Sequence, residues 1–505
     1  MAIRMTLIRF IYRYFTSLVL IYILFVNPTA CDSSLSKDSS LNNVASGVLR
    51  AHPENPRYFT DDSGKAIYLT GSHTWANLMD GGTTDPPQPF DFSGYLDFLK
   101  HHNHNFIRLW TLELTQFFDR SKGMIAYHTP FPWERTGPGL ALDGKPKFDL
   151  NTFNQEYFDR LRSRIIAARD EGIYVSVMLF EGWGIYYSEP PWRWDGHPFN
   201  INNNINDIDG DPNKDGKGLE SHSLQLPKIV KRLIGTVPVM IPIAKIFNIP
   251  DTLKIQKDYV KKVIDTTNDL DNVLYEISNE DHVDSIIWQY DMINFIHSYE
   301  KGKPKQHPVG MTTHAKLGNK AVFNSSADWV SPSVINWEDE KDLYRIDPPA
   351  TDGIKVMIAD TDHLWGLGGD RQWVWKSFLR GYHTIYMDNL TSSGWGHWEP
   401  EDARKAMGHT LRYADKMNLA SMTPRNDLSS TSYCLANPGK EYLIYQPVSN
   451  SSFTVNLTAG TYGYEWFEPG SGEISSPRSM TVSHNKTVSF TPPFMGDAVL
   501  YIHNS

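Results

Sequence analysis

The sequence is poor in cysteine and has no long basic run. Cys31 and Cys434 are its only cysteines in 505 residues, so a framework of several disulfides is excluded. The formal net charge is -10, which argues against nucleic acid or an anionic membrane surface as a binding partner. The composition is that of a globular protein, and the length allows a large core and more than one domain.

Two catalytic signatures are also missing. No Gly-rich phosphate turn follows the first predicted strand, "YLTGSHTW", which disfavours a dinucleotide-binding sheet. No Gly-x-Ser-x-Gly segment is present, which disfavours a serine esterase. With no strong cofactor or metal motif left, the sequence predicts an activity that needs neither.

Two segments resemble metal sites without matching one. "HHNHN" (101–105) precedes the second predicted strand, at the non-catalytic end of the fold, so we interpret it as a solvated helix end. "DPNKDGKGLESH" (211–222) begins like a calcium loop but has His222 at position twelve, where a bidentate Glu is expected. The interpretation as an ordinary polar loop is therefore favoured, with a calcium site as the alternative.

The N-terminal residues have the pattern of a targeting segment. Arg4, Arg9 and Arg13 flank the apolar run "SLVLIYILFV", and "NPTAC" follows. This pattern predicts a signal peptide over 1–30, with an uncleaved anchor as the alternative. Cys31 resembles the lipidated cysteine of a bacterial lipoprotein, so we expect an exported protein in the periplasm or at the cell surface, tethered to a membrane if Cys31 carries lipid.

Strand and helix patterns divide the rest of the chain. Residues 31–65 read as a polar tail and a short β element, and 66–414 alternate eight short apolar strands with helical stretches. This alternation predicts a (β/α)8 barrel, with a doubly wound sheet as the competing topology. Residues 415–505 change to short alternating strands with turn signals, which predicts a small antiparallel β-sandwich. An apolar insertion at 223–256 is predicted as a packed helical hairpin, with a lid or a membrane-facing patch as the alternatives.

Carboxylates follow two strands that lie opposite each other in such a barrel. Glu280 ends the fourth predicted strand, "NVLYEISNE", and Asp360 and Asp362 end the seventh, "KVMIADTDHL". Two opposed carboxyls, one protonated and one ionised, are the minimum needed to cleave a glycosidic bond. The alternative is that "SNE" only starts a helix, with Glu280 as a first-turn charge.

Other polar and aromatic residues lie at the predicted strand ends. An arginine in an apolar strand needs a carboxylate partner, and an amide beside the acid can bind a sugar hydroxyl. The predicted pocket residues are Arg108, Asn279, His314, His73, Trp183 and Glu181, with Glu181 and Glu338 as reserve carboxylates.

These motifs resemble a known family. "NFIRLW" on strand two, "SNE" on strand four and an acid on strand seven resemble the retaining glycoside hydrolases of clan A, over most of 66–400. "GSHTWANLMD", "YEWFEPGSGE" and "PPFMGDAVLYI" are similar to cellulase and apiosidase-like proteins with a terminal sandwich labelled collagen-binding. The resemblance implies a carbohydrate substrate, Glu280 as general acid/base, and Asp360 as nucleophile with Asp362 as the alternative.

The seventh strand departs from that family, which has Glu where this chain has Asp. The shorter side chain widens the gap between the two carboxyls by about an ångström, and retention needs roughly 5–5.5 Å whereas inversion needs roughly 6.5–9.5 Å. We expect retention, with inversion open. A non-catalytic carbohydrate-binding or adhesion protein with a degenerate barrel is the rival interpretation.

Overall fold

The computed structural model describes residues 44–75, 77–119, 123–186, 193–224, 251–312, 318–334, 343–388 and 401–504. The predicted signal peptide, Cys31, most of the 223–256 insertion, His314 and Glu338 lie outside these ranges. No helix within them has the length and apolar character needed to cross a membrane.

Eight parallel strands form a nearly closed barrel, which confirms the predicted fold. Barrel strands one to eight are Thr70–Thr74, Phe106–Leu109, Tyr174–Glu181, Val273–Asn279, Val309–Thr312, Trp329–Ser331, Val356–Asp360 and His383–Asp388. Strands two to eight pair in chain order, and strand eight pairs with strand one. Their side chains are buried on both faces, because the barrel interior and the outer helices each cover one face.

The seam between strands one and two is closed mainly by side chains. The main-chain N–H of Asn105 donates to Thr70 O at 3.0 Å. The N–H of Thr70 donates to Asn105 Oδ1 at 2.9 Å, and the N–H of Ser72 donates to His104 Nδ1 at 3.2 Å. These side chains take the place of the backbone partners that a ladder would supply.

Helices follow the strands as the periodicity predicts. The main ones are Phe92–His101, Gln155–Asp170, Asp251–Thr267, Ile286–Glu300, Gly318–Asn324, Leu343–Ile346, Arg371–Leu379 and Glu401–Lys416. Short helical turns are Trp183–Tyr186, Arg193–Gly196, Leu219–His222, Val283–Ser285, Thr361–Leu364, Leu419–Ser421 and Asn426–Leu428. Asp91, Asn154 and Asp370 cap the N-termini of three helices by accepting main-chain N–H bonds.

Antiparallel strands that the sequence analysis did not predict lie between the first barrel strands and their helices. Asp80–Gly82, Met124–Thr129 and Gln116–Asp119 form a three-stranded sheet, and Trp133–Leu140 pairs with Pro146–Phe153. These segments follow strands one and two, so they stand at the catalytic end of the barrel.

The C-terminal region is antiparallel, as predicted. One sheet has six strands, Thr423–Pro424, Cys434–Asn437, Glu441–Gln446, Ala498–Asn504, Gly460–Phe467 and Arg478–Val482; a second pairs Phe453–Leu457 with Lys486–Phe490. A short pair, Arg50–Ala51 with Phe59–Thr60, precedes the barrel.

Candidate active site

Arg108 lies at the centre of a buried group of charges inside the barrel. Its Nε and Nη2 donate to the two carboxylate oxygens of Glu276 at 2.8 and 2.6 Å. Its Nη1 donates to Asp360 Oδ2 at 2.8 Å, and Nη2 also donates to Asn279 Oδ1 at 2.8 Å. The guanidinium therefore joins strands two, four and seven below the mouth of the barrel.

Asp360 is held in its ionised form. Its Oδ1 is 2.9 Å from His73 Nε2 and accepts the N–H of Asp362 at 2.9 Å, which caps the turn Thr361–Leu364. Burial opposes ionisation, but His73 and Arg108 outweigh it and hold the pKa of this carboxyl below its usual range. Both carboxylate oxygens of Asp360 are thus occupied by donors.

Asp362 has a different environment two residues further on. The strand ends at Asp360, so Asp362 lies in the following helical turn rather than on the strand. Its Oδ2 is 3.5 Å from Arg108 Nη1 and has no hydrogen-bond partner among the described residues. Burial and the charges of Glu280 and Asp360 raise the pKa of this carboxyl well above its usual range.

Glu280 follows strand four in a backbone conformation that few residues other than glycine adopt. Its φ is 42°, in the left-handed region, which costs energy for a residue with a Cβ. Burial and the charges of Glu181 and Asp360 raise the pKa of Glu280 to about 8. At neutral pH the glutamate therefore keeps its proton while Asp360 is ionised.

Asn279, the residue before Glu280, bonds to side chains on both sides of the site. Its Oδ1 accepts from Arg108 and lies 3.0 Å from His363 Nε2, while its Nδ2 is 3.3 Å from both carboxylate oxygens of Glu181. Glu181 also accepts the N–H of Trp183 at 2.8 Å. Burial raises the pKa of Glu181 well above its usual range, which favours its protonated form.

Aromatic rings surround these polar groups. The His73 ring stacks on Trp110 with centroids 5.6 Å apart, and Arg108 lies 4.9 Å from the same indole. Trp183 packs edge-on to Phe117 at 5.2 Å and carries the Arg193 guanidinium 3.4 Å from its ring centroid. Aromatic faces beside charged groups suit the mixed apolar and hydroxyl surface of a sugar.

Most of the predicted site residues therefore meet at one end of the barrel. The contacts above connect Arg108, Asn279, His73, Glu181, Asp360 and Asp362, with Trp183 beside them. Glu280 directly follows Asn279 in the chain, and His314 lies outside the described residues. The sequence analysis missed Glu276 and His363. A glutamate inside the apolar run "NVLYEISNE" was the available signal for Glu276, since a buried charge needs a partner.

One group of potential metal ligands is present in the described part of the chain. Ligand atoms of Asp360, Asp362 and His363 lie within 4.8 Å of one another. The Arg108 guanidinium already lies 2.8 Å from Asp360 and 3.5 Å from Asp362. A metal ion there would have to displace this cation, so the geometry favours an ion-pair cluster.

The two metal-like sequence segments make hydrogen bonds within the described structure. The carboxylate of Asp211 accepts the main-chain N–H groups of Asp215 and Gly216, at 3.1 and 2.9 Å, so the loop is held by its own hydrogen bonds, and its interpretation as an ordinary polar loop stays a prediction. The interpretation of "HHNHN" as a solvated helix end is wrong for His102 and His104, which are both buried. His102 bonds to Glu401 across 3.1 Å, and His104 closes the barrel seam.

Comparison with known proteins adds the fold of three solved structures. No known family matches the sequence, and no curated protein matches it either. A "Glycoside hydrolase" shares 12% identity and a TM-score of 0.55, over 91% of this chain and 97% of that one. A glycoside hydrolase family 5 structure from Bacteroides vulgatus ATCC 8482 shares 13% identity and 0.54, over 91% and 94%. Another glycoside hydrolase from that organism shares 12% and 0.55, over 92% and 84%. The chain has the fold of these proteins along nearly its whole described length.

Proposed function

We propose that this protein is a glycoside hydrolase that cleaves O-glycosidic bonds of an oligo- or polysaccharide with two carboxyl groups. The observation that carries the proposal is the placement of two carboxyls. Asp360 ends strand seven, where it accepts from Arg108 at 2.8 Å and lies 2.9 Å from His73, and Glu280 directly follows strand four with a pKa raised to about 8. Such a pair supplies a proton and a negative charge to one substrate at neutral pH. The fold shared with glycoside hydrolases supports the same conclusion.

Glu280 is assigned as the general acid/base. It gives its proton to the glycosidic oxygen as the bond to the anomeric carbon breaks, and in the second half of a retaining reaction it takes a proton from water. Asn279 is the neighbouring group assigned to a sugar hydroxyl, since its amide is fixed by Arg108 and Glu181.

Asp360 is assigned as the nucleophile, with Asp362 as the alternative. Asp360 is the ionised group, as attack on the anomeric carbon requires. Asp362 has the unbonded oxygen but also the raised pKa, so it becomes nucleophilic only if its proton moves to a neighbouring carboxyl.

Turnover of a panel of aryl glycosides and oligosaccharides tests the proposed function. Glu280→Gln should lower kcat/KM by about 100- to 10,000-fold, as expected for loss of a general acid. Glu156→Gln, at a glutamate whose side chain is 71% exposed, is the control and should change nothing. Glycan binding without turnover by the wild type would support the rival binding protein.

Azide rescue separates the two aspartates. Removing the nucleophile leaves room for azide, which attacks the anomeric carbon in its place and gives a glycosyl azide of the inverted configuration. We expect rescue in Asp360→Ala and none in Asp362→Ala. The reverse result would transfer the nucleophile assignment to Asp362.

We also propose export through residues 1–30 and a membrane tether at Cys31. The basic residues, the apolar run and the cysteine after "NPTA" support this location. In a bacterial host, Cys31→Ser should move the protein from the membrane fraction to the soluble fraction of the periplasm.

A further inference from the structure

A second buried group of charges lies directly behind the proposed acid. Asp281, the residue after Glu280, places Oδ2 2.8 Å from His222 Nδ1. The other ring nitrogen of His222 lies 3.9 Å from Glu113 Oε2, and that oxygen accepts the main-chain N–H of Glu181 at 2.8 Å. Asp281, His222 and Glu113 form a group, here called the His222 triad, that meets the Arg108 cluster through the main chain of Glu181 but has no role in the chemistry above.

Each member of the His222 triad comes from a different loop at the mouth of the barrel. Glu113 follows strand two, His222 ends a helical turn after strand three, and Asp281 follows strand four. Their exposed fractions are 6%, 0% and 0%, so solvent does not weaken the interaction.

The backbone in this region is closely packed. Gly182 donates its N–H to Asn279 O at 2.8 Å, and a Cβ added to Gly182 would overlap with the main chain and side chain of Asp281. The loop after strand three therefore rests directly on the residues around Glu280. If Asp281 moves, either the loop after strand three or the backbone around Glu280 has to move with it.

His222 is the positively charged member of the His222 triad. Burial would lower the pKa of His222, but the charges of Asp281 and Glu113 outweigh it and raise that pKa. Two further histidines lie beside the His222 triad. His282 Nε2 is 3.6 Å from Asp281, and His197 Nε2 is 3.6 Å from Glu113. Burial lowers the pKa of both, so they stay neutral.

The ring of His222 is held in place by stacking on one face and by hydrogen bonds around the preceding residue. It stacks on Trp288 with centroids 4.3 Å apart and an interplanar angle of 7°. The carbonyl of the preceding Ser221 accepts from Gln256, which in turn accepts from the Trp288 indole N–H. The imidazole is thus fixed before any substrate arrives.

We propose that His222 is a positioning residue that, as an imidazolium between Asp281 and Glu113, holds the left-handed backbone of Glu280 in the orientation needed for proton transfer. The inference rests on the proposed function of Glu280. A φ of 42° persists only where the surroundings fix it, and the Asp281 side chain is the fixed point one residue away. His222 itself touches no reacting atom.

The charge of His222 predicts a pH effect on its own account. Because the folded-state pKa is raised, the interaction is complete below the ordinary pKa of histidine and is lost as pH rises through the folded value. Loss of the imidazolium then loosens Glu280 at alkaline pH.

Two substitutions test the inference by kinetics. His222→Gln and Asp281→Asn should each lower kcat at least about tenfold with KM nearly unchanged, and should shift the alkaline limb of the kcat profile. The control is His297→Gln, which removes a similar His–Asp pair, 2.9 Å to Asp328, at a partly exposed position on a barrel helix. Unchanged kcat in both folded test variants would overturn the proposal.

The wild type provides a measurement that needs neither folded variants nor turnover. Stacking on Trp288 should shift the imidazole carbon-bound protons of His222 strongly upfield in an NMR titration of 13C-labelled histidine. We expect this resonance to titrate above the ordinary pKa of histidine; titration at or below it would overturn the imidazolium. If no glycoside is cleaved, the proposed function fails by itself, and the titration still decides the charge of His222.

Discussion

At the scale of single residues, one guanidinium lies among carboxyls in opposite states. Arg108 contacts Glu276 and Asp360 and lies 3.5 Å from Asp362. Burial and neighbouring carboxylates raise the pKa of Glu280, Asp362 and Glu181. Contacts with His73 and Arg108 lower the pKa of Asp360 against the effect of burial.

The raised pKa of Glu280 predicts an alkaline limb in the pH profile. Proton donation requires the protonated acid, so kcat/KM should fall as pH rises above about 8. Initial rates between pH 5 and 10 on a substrate with a poor leaving group measure it. With an activated aryl leaving group, which needs little protonation, the limb should flatten. A fall already near the usual pKa of glutamate would contradict the assignment.

Glu276→Gln tests the contribution of the buried Arg108–Glu276 ion pair to stability. Removing one partner leaves the Arg108 charge poorly compensated, and breaking such pairs costs about 3–5 kcal/mol of unfolding free energy. Asp269→Asn removes a surface partner of Arg162, is 61% exposed, and should cost less than about 1 kcal/mol. Urea denaturation compares them. Equal costs would mean that the buried pair does not stabilise the barrel.

At the scale of elements, the turn after strand three presses on the residue after the acid. Gly182→Ala adds a methyl group against Asp281, and overpacking of this kind costs about 1–3 kcal/mol of unfolding free energy. We also expect kcat to fall, because the turn or Glu280 must move. Gly302→Ala, where the nearest atom is 3.9 Å away, is the matched control and should leave kcat unchanged.

The barrel strands could be predicted because buried parallel strands are encoded by short, nearly continuous apolar runs. Runs such as "IYVSVMLFEGW" are apolar on both faces, which only a covered parallel strand requires. The antiparallel strands between 116 and 153 lack this signal, since many of their side chains are exposed.

The site could be predicted only as far as strand-end position reaches. Glu280 and Asp360 follow from the barrel rule, but the contact between His73 and Asp360 joins residues 287 positions apart. The left-handed φ of Glu280 and the turn that places Asp362 off the strand depend on three-dimensional packing. The bonds of Glu276 required the same information.

At the scale of the whole molecule, the sandwich is attached to the barrel by an aromatic interface. Trp375, on a barrel helix, stacks on Tyr445 of the sandwich at 6.1 Å and also contacts Phe467 at 5.7 Å. Arg371 pairs with Asp497 at 3.0 Å beside them. The two regions therefore share a core, which supports a buttressing role for the sandwich.

Trp375→Ala tests this shared core. Loss of a buried indole costs about 3–5 kcal/mol, and we expect one calorimetric transition, shifted to lower temperature, in which barrel and sandwich unfold together. Trp466→Ala, inside the sandwich core, should shift the same transition. Two separate transitions in either variant would show that the regions unfold independently.

The closure of the barrel through Asn105 and His104 has a consequence for acid solutions. Burial lowers the pKa of His104 to about 3, so the folded ring stays neutral and its Nδ1 can accept the Ser72 N–H, whereas the unfolded ring takes up a proton at ordinary histidine values. Acidification from about pH 6.5 therefore lowers the unfolding free energy, in part through this seam between strands one and two. Protection against hydrogen–deuterium exchange, corrected for the slower intrinsic exchange in acid, should fall early at Thr70 and Ser72, whose N–H groups bond to side chains across this seam. The barrel would then open in acid between its first and second strands.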